Sequence, residues 1–349
     1  MLLTTATVAV AAATVTATVA APAAQAALPD AVGFVLWNGS ATVATGTSPA
    51  ATSVSPGPVG SYTIKFPGLA ARGGVVHVTA VDSGPVWCQA VKWGPSGTDE
   101  IVVVLCSKAG GAPVATAFTA LFDSSSGPAG AINGRFGYVD YNDATGTIVS
   151  QYNSSGSING VSPLGGGVYE VKLPNLMTPG PTDGSIQVTA VDSKAARCKV
   201  IKWASSPAGQ VVYVVCHDAT GAPYKTRFTL SYQYQQSLWG AGWPPRSFGY
   251  LWNAPPLGPP STNFNSLLGS GINTITTAGQ GLSLVRFPRL TLLPDTVQVT
   301  AAGPDSEFCN LLTFWGHPGT ETTVRDVACY KSSGGRVDTG FLISANAAI

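Results

Sequence analysis

Apolar and polar positions alternate with a period of two through most of the chain, the spacing of half-buried β-strands rather than of helices. Tyr62, Ile64 and Phe66 fall on one side of such a segment, Thr63 and Lys65 on the other. Tyr169, Val171 and Leu173 repeat the pattern against Glu170 and Lys172. Val76, Val78 and Ala80 alternate with His77 and Thr79, and Phe118, Ala120 and Phe122 form a further apolar stripe matched by Phe228, Leu230 and Tyr232. A proline closes the first of these segments in each case, because proline cannot donate to a strand ladder.

The same segments recur three times. Val78-Thr79-Ala80, Val188-Thr189-Ala190 and Val299-Thr300-Ala301 share one order with Phe66-Pro67, Leu173-Pro174 and Phe287-Pro288 upstream. Cys88 and Cys106, Cys198 and Cys216, and Cys309 and Cys329 follow in register, and then Thr116-x-Phe118, Thr226-x-Phe228 and Thr339-x-Phe341. Each copy opens on a glycine, an aromatic residue and an aromatic-Asn pair, which places Trp37, Tyr141 and Trp252 at one position of the repeat. Self-similarity at this period marks repeated structural units. The copies span residues 33–123, 134–234 and 246–347. The small, flexible stretch 123–130 separates the first two, and a stiffer Trp- and Pro-bearing stretch, 235–247, separates the last two. Trp239 and Trp243 in the second linker are expected to plug a joint between copies, with an exposed binding patch as the alternative.

Within each copy the two cysteines flank a turn: the midpoint of Cys88 and Cys106 falls inside Gly94–Asp99, and that of Cys198 and Cys216 inside Ser205–Gly209. Copy 3 carries extra turn residues, Gly316 to Thr320. An antiparallel hairpin brings such a pair face to face, so the pairing predicted is 88–106, 198–216 and 309–329. Zinc thiolates would need closer cysteine spacing and histidine partners. The fold class expected is all-β: three tandem small antiparallel β-sandwiches, or flattened barrels, of six or seven strands, each with one hairpin disulfide.

Composition narrows the setting. The 349 residues include 41 Gly and 26 Pro, close to a fifth of the chain, with 10% charged residues and a formal net charge of +1. That usage suits short strands and turns, and so small a charge gives no pull toward nucleic acid or an anionic membrane. Residues 1–26 read as an export signal, an apolar Leu, Ala, Val and Thr run followed by Ala24-Gln25-Ala26 with cleavage expected before Ala27. Its basic opening stretch is missing, since the first Lys or Arg is Lys65, so a few residues are expected ahead of Met1. Cystines and a signal together predict a secreted, extracellular protein with no membrane span after cleavage.

Residues suited to chemistry are sparse. There are three histidines, His77, His217 and His317, at three different places in the repeat, read as solvated surface residues. Asp82 and Asp192, with Asp305 nearby in copy 3, read as turn caps. No nucleophile elbow, metal helix or calcium loop occurs, so no catalytic residue, metal or cofactor is assigned. Trp37, Tyr141 and Trp252, each followed by Asn, are candidate ligand-binding residues, because aromatic faces stack on sugar rings and amides bond hydroxyls; the competing reading is that they are core aromatics. Lys65, Lys172 and Arg286 form a second recurring set on the polar side of their strand, read as a solvated face.

The pattern FP-L … VTA … C-x4-W … V-x-V-x-C … G-x-P-x-x-T-x-F, here Phe66 to Leu69, Val78 to Ala80, Cys88 to Trp93, Val102 to Cys106 and Gly111 to Phe118, resembles uncharacterised secreted repeat proteins of actinomycetes. Copy 3 departs from it, with Arg336 in place of Pro113 and Pro223 and with Phe314-Trp315 in place of one Trp. The resemblance implies export and repetition and carries no activity. A looser likeness to small lectin-like sandwiches is an analogy of fold. The function expected is a non-catalytic binding or surface-associated module for extracellular polysaccharide or the cell envelope, with avidity from repeated weak sites. A self-associating structural or matrix protein is the alternative. An extracellular hydrolase, with a site built between copies from His217, His317, Glu307 and Asp326, is the third.

Overall fold

In a computed structural model, residues 29–46, 51–126, 134–240, 247–254 and 262–347 are described, together with Met1. The predicted signal beyond Met1, its cleavage point, residues 127–130 of the first linker and Trp243 lie outside them. Copy 1 forms β1 (Pro29–Trp37), β2 (Thr42–Gly46), β3 (Ser53–Pro56), β4 (Ser61–Phe66), β5 (Val75–Val81), β6 (Val86–Ser96), β7 (Asp99–Lys108) and β8 (Ala117–Ser125). Copy 2 forms β9 (Arg135–Asn142), β10 (Thr147–Asn153), β11 (Gly160–Gly165), β12 (Val168–Pro174), β13 (Ser185–Val191), β14 (Ala196–Ser206), β15 (Gly209–Asp218) and β16 (Arg227–Tyr234). Copy 3 forms β17 (Phe248–Asn253), β18 (Thr262–Asn265), β19 (Gly269–Ser270), β20 (Thr274–Gly279), β21 (Leu282–Pro288), β22 (Asp295–Ala302), β23 (Phe308–Leu311), β24 (Glu321–Tyr330) and β25 (Gly340–Ala347). The six or seven strands expected per copy are eight or nine; the additions include short outer strands such as β2, β3 and β19, whose sequences, TVATG, SVSP and GS, are too short to show a period of two.

Each copy is a sandwich of two half-sheets. In copy 1 the order β2-β1-β8-β5 faces β3-β4-β7-β6. Between them lies an apolar core that includes Trp37, Tyr62, Ile64, Phe66, Val78, Val102, Val104, Phe118 and Phe122. Copy 2 repeats the arrangement around Tyr141, Tyr169, Val188 and Phe228, and copy 3 around Val285, Phe287, Val299 and Phe341. The predicted inward stripes are the core stripes.

No half-sheet ends at its own copy. β5 continues into β23 of copy 3, β13 into β6 of copy 1, and β22 into β14 of copy 2. The three chain-long sheets, of eight, eight and nine strands, therefore each join two copies, and the copies close into a ring. The joints are parallel and equivalent: Leu311 lies beside Val81, Val191 beside Ala90, and Val200 beside Ala302. Main-chain bonds repeat with them, from Asp82 N to Leu311 O at 2.9 Å, Asp192 N to Ala90 O at 3.0 Å and Gly303 N to Val200 O at 2.9 Å.

The disulfides join the predicted partners, 88–106, 198–216 and 309–329, at directly opposed positions of each hairpin with Cα atoms 4.0, 4.0 and 4.1 Å apart. The first hairpin turns tightly at Gly97-Thr98, and one bulge between Ala90 and Lys92 shifts its register. Copy 3 interrupts the hairpin from Leu312 to Thr320, where its extra residues fall.

Candidate functional site

β5, β13 and β22 are buried on both faces. Their apolar faces enter the three cores, and their other faces meet one another around the pseudo-threefold axis. The residues there are polar but uncharged at the pH of most cells. Thr79 Oγ1 donates to Gln298 Oε1 at 2.9 Å and accepts from Val299 N at 3.0 Å. Thr300 Oγ1 donates to Gln187 Oε1 at 2.9 Å and accepts from Val188 N at 2.9 Å. Thr189 Oγ1 meets His77 Nδ1 and Val78 N, both at 3.3 Å. Each copy thus bonds the next in one direction round the ring, with His77, Gln187 and Gln298 as counterparts. Buried polar groups matched in this way specify one arrangement of the copies.

Two of the three histidines read as solvated are buried, and the third is partly so. His77 is 2% exposed, its Nε2 2.8 Å from Ser231 Oγ, and burial holds its pKa down at about 3. His217 is 5% exposed, with a pKa lowered to about 4 first by burial and then by the charges of Arg197 and Lys199. His317 is half-buried and its Nε2 lies 2.9 Å from Asp295 Oδ2, while Trp315 Nε1 donates to Asp295 Oδ1 at 2.9 Å. The polar side of a strand meets water only if nothing packs on it, and here neighbouring copies do.

At one end of the axis the Cys-bearing strands converge on a cavity of about 50 Å³, lined by Cys88, Cys198, Cys309, Lys199 and Glu307 among others. The residues before these cysteines, Trp87, Arg197 and Phe308, break the symmetry. The Arg197 guanidinium sits 4.9 Å from the Trp87 ring and 5.0 Å from the Phe308 ring, a cation held against two π-faces. It donates to Asp218 O at 2.9 Å and Ser332 Oγ at 2.7 Å. Burial lowers its pKa to about 10, which leaves it charged at neutral pH. The residues after the cysteines strap the ring: Gln89 Nε2 donates to Asp192 O and Lys194 O, Lys199 pairs with Glu307 at 2.9 Å, and Asn310 Nδ2 donates to Gly84 O and Val86 O. These groups are committed to holding copies together.

Trp37 is 4% and Tyr141 2% exposed; both lie within the cores, against Tyr62 and against Tyr169 and Phe228 respectively. Trp252 is half-buried, its ring 4.4 Å from that of Trp203 across the copy 2–copy 3 joint. Trp37 and Tyr141 are thereby withheld from solvent, and Trp252 keeps part of its ring exposed beside Trp203. Asn38 and Asn142 start turns, accepting from Ala41 N and Ala144 N. Lys65, Lys172 and Arg286 lie on the solvated face and pair within their own copies with Asp99, Glu170 and Glu321 at 2.6, 2.9 and 3.3 Å. Asp82 and Asp192 cap turns and accept from Thr116 and Thr226; the counterpart in copy 3 is Gly303, not Asp305. Of the residues considered for a hydrolase, Glu307 lines the axial cavity and acts on His217 through its charge, whereas His317 pairs with Asp295. Among the described residues no group of His, Cys, Asp and Glu is placed to hold a metal. Trp239 is 1% exposed and stacks at 6.3 Å on Phe34 of copy 1, the plug expected of the second linker.

A groove that sequence reading missed lies between copies 2 and 3. It encloses about 280 Å³ and is lined by Asp183, Tyr234, Gln235, Tyr250, Thr262, Asn263, Phe264, Ser270 and Gly271. Tyr250 donates no face of its own, being 1% exposed, but its hydroxyl accepts from Gln235 N at 3.0 Å at the groove floor. Tyr234 and Phe264 are half-buried, and Ser270 and Gly271 form an exposed rim. Burial, with the Asp183 carboxylate second, raises the Tyr234 phenol above its usual pKa, so it is a neutral donor and acceptor. No repeat position signals this groove, because it arises from the meeting of β16 with β17 and β18. Among the described residues no helix is long and apolar enough to cross a membrane. No family model, curated protein or solved structure matches the chain.

Proposed function

We propose that this chain is an exported, non-catalytic protein that binds extracellular polysaccharide or the cell envelope, of the kind its repeat motifs resemble. The observation that carries this reading is the groove of Tyr234 and Phe264. It joins aromatic edges to phenol, amide and carboxylate groups in a space near the lower bound of small-ligand sites, roughly 300 Å³. That mixture suits a sugar, whose C–H faces pack on rings while its hydroxyls bond amides and carboxylates. The disulfides fit an oxidising compartment.

The test is binding of the oxidised chain, freed of residues 1–26, to a panel of polysaccharides and purified cell envelopes. Saturable binding is expected, without release of soluble fragments. Ser270→Trp, which fills the groove from its exposed rim, and Tyr234→Ala should each weaken it roughly tenfold, the value of one well-placed contact. No binding across the panel, or equal binding by both variants, refutes the reading.

A further inference from the structure

Sheet edges expose unpaired N–H and C=O groups, and proteins guard them with charge, proline or a covering segment. In copies 1 and 2 the strand beside β4 and β12 carries a proline at one register: Pro56 lies across from Tyr62 and Pro163 across from Tyr169. Both partners stand four residues before the FP or LP motif. In copy 3 that partner is Ser283, and the residue across from it is Thr277 of β20. Proline is tolerated within an edge strand where its nitrogen points away from the ladder. Thr277 therefore restores an outward-facing donor that the two sister edges lack.

Among the described residues nothing else guards β20. Its sequence, TITTAG, has no charge, and all of its residues are exposed except half-buried Ile275. Among the described residues its hydrogen bonds run to β21 alone. The edge at β10 is covered, since Gly74 N donates to Ser150 Oγ and Asn159 Nδ2 to Tyr152 O. The strand β18 is followed by the two-residue β19, and Asn273 donates to Phe264 O beside it.

We infer that β20 is an interaction surface for a second copy of this chain, joined antiparallel, strand to strand. A second copy fits because the strand is self-complementary. Turned about Thr276, it sets Ile275 against Thr277 of the other copy, a β-branched pair with no like charges opposed. The net charge of +1 gives the copies little mutual repulsion. Two copies of the sheet that ends at β20 would become one continuous sheet across a twofold axis.

Sedimentation of the full chain across the micromolar to millimolar range tests this. The wild type should pass from monomer to dimer. Thr277→Pro, which copies the sister edges, should keep the wild-type denaturation midpoint and weaken the dimer roughly tenfold, the worth of the main-chain bonds it removes. Thr276→Lys, which opposes two ammonium groups at the axis, should do the same, with recovery at high salt. Polysaccharide binding by Thr277→Pro should be unchanged, so this inference and the proposed function fail separately. A wild type that stays monomeric overturns the inference, as does a dimer indifferent to both substitutions.

Discussion

His77, Gln187 and Gln298 hold the same place in the three copies, and all three side chains reach a threonine of a neighbouring copy. The alternation of strands separates two faces of a residue pattern but does not say what covers the second. A signal was nonetheless present: the outer face of these strands reads His, Thr, Gln and Ser, uncharged groups suited to mutual hydrogen bonding, where a solvated face would carry Lys and Glu. The ring makes stability depend on acid. The folded-state pKa values of His77 and His217 lie below the unfolded value of 6.5, so the unfolded chain binds more protons below that pH. Stability is full above about pH 6.5 and falls as pH drops toward the folded values, by up to about 1.4 kcal/mol per pH unit for each histidine. His77→Gln, which copies the other two repeats, should retain the bond to Thr189 and remove one histidine's share of the slope. Urea denaturation from pH 7 to pH 4 measures this, and an unchanged slope would place His77 in water.

At the scale of elements, the hairpins were legible because a disulfide pair and the turn between it are local. Each pair stays centred on its turn even though a bulge after Ala90 shifts the register by one. The half-sheets that meet at Val81 and Leu311, or at Val191 and Ala90, left no such trace. Each joint is a short parallel contact through backbone atoms, and no side-chain type is demanded by it. The same limit hid the groove, which two distant segments build together. The aromatic stripe Trp37, Tyr141, Trp252 was legible as a repeat position, and its packing inside or across the cores follows from the first strand being covered on both faces. Replacing Cys198 and Cys216 together by alanine should cost about 3 kcal/mol, as loop closure of this length predicts. Equilibrium denaturation under oxidising conditions would show it, and a loss well below 1 kcal/mol would mean that residual structure already holds that hairpin's ends together in the unfolded chain.

For the whole molecule, the copies are sandwiches in their cores but not in their sheets, since every sheet is completed by a neighbour. The first and last copies are joined as closely as consecutive ones, with Asn310 of copy 3 bonded to Gly84 and Val86 of copy 1. Closure also explains the low charge: much of the polar surface of each repeat is turned to the axis, where unpaired charge would be costly. Arg197 is the exception, and two aromatic rings and a set of carbonyls receive it.

Small-angle scattering from the monomeric chain, freed of its first 26 residues, tests closure most directly. A closed ring of this length should have a radius of gyration of about 20 Å, the value for one compact body. Three independent sandwiches strung on linkers, each of about 13 Å, would give roughly 30 Å and contradict the ring.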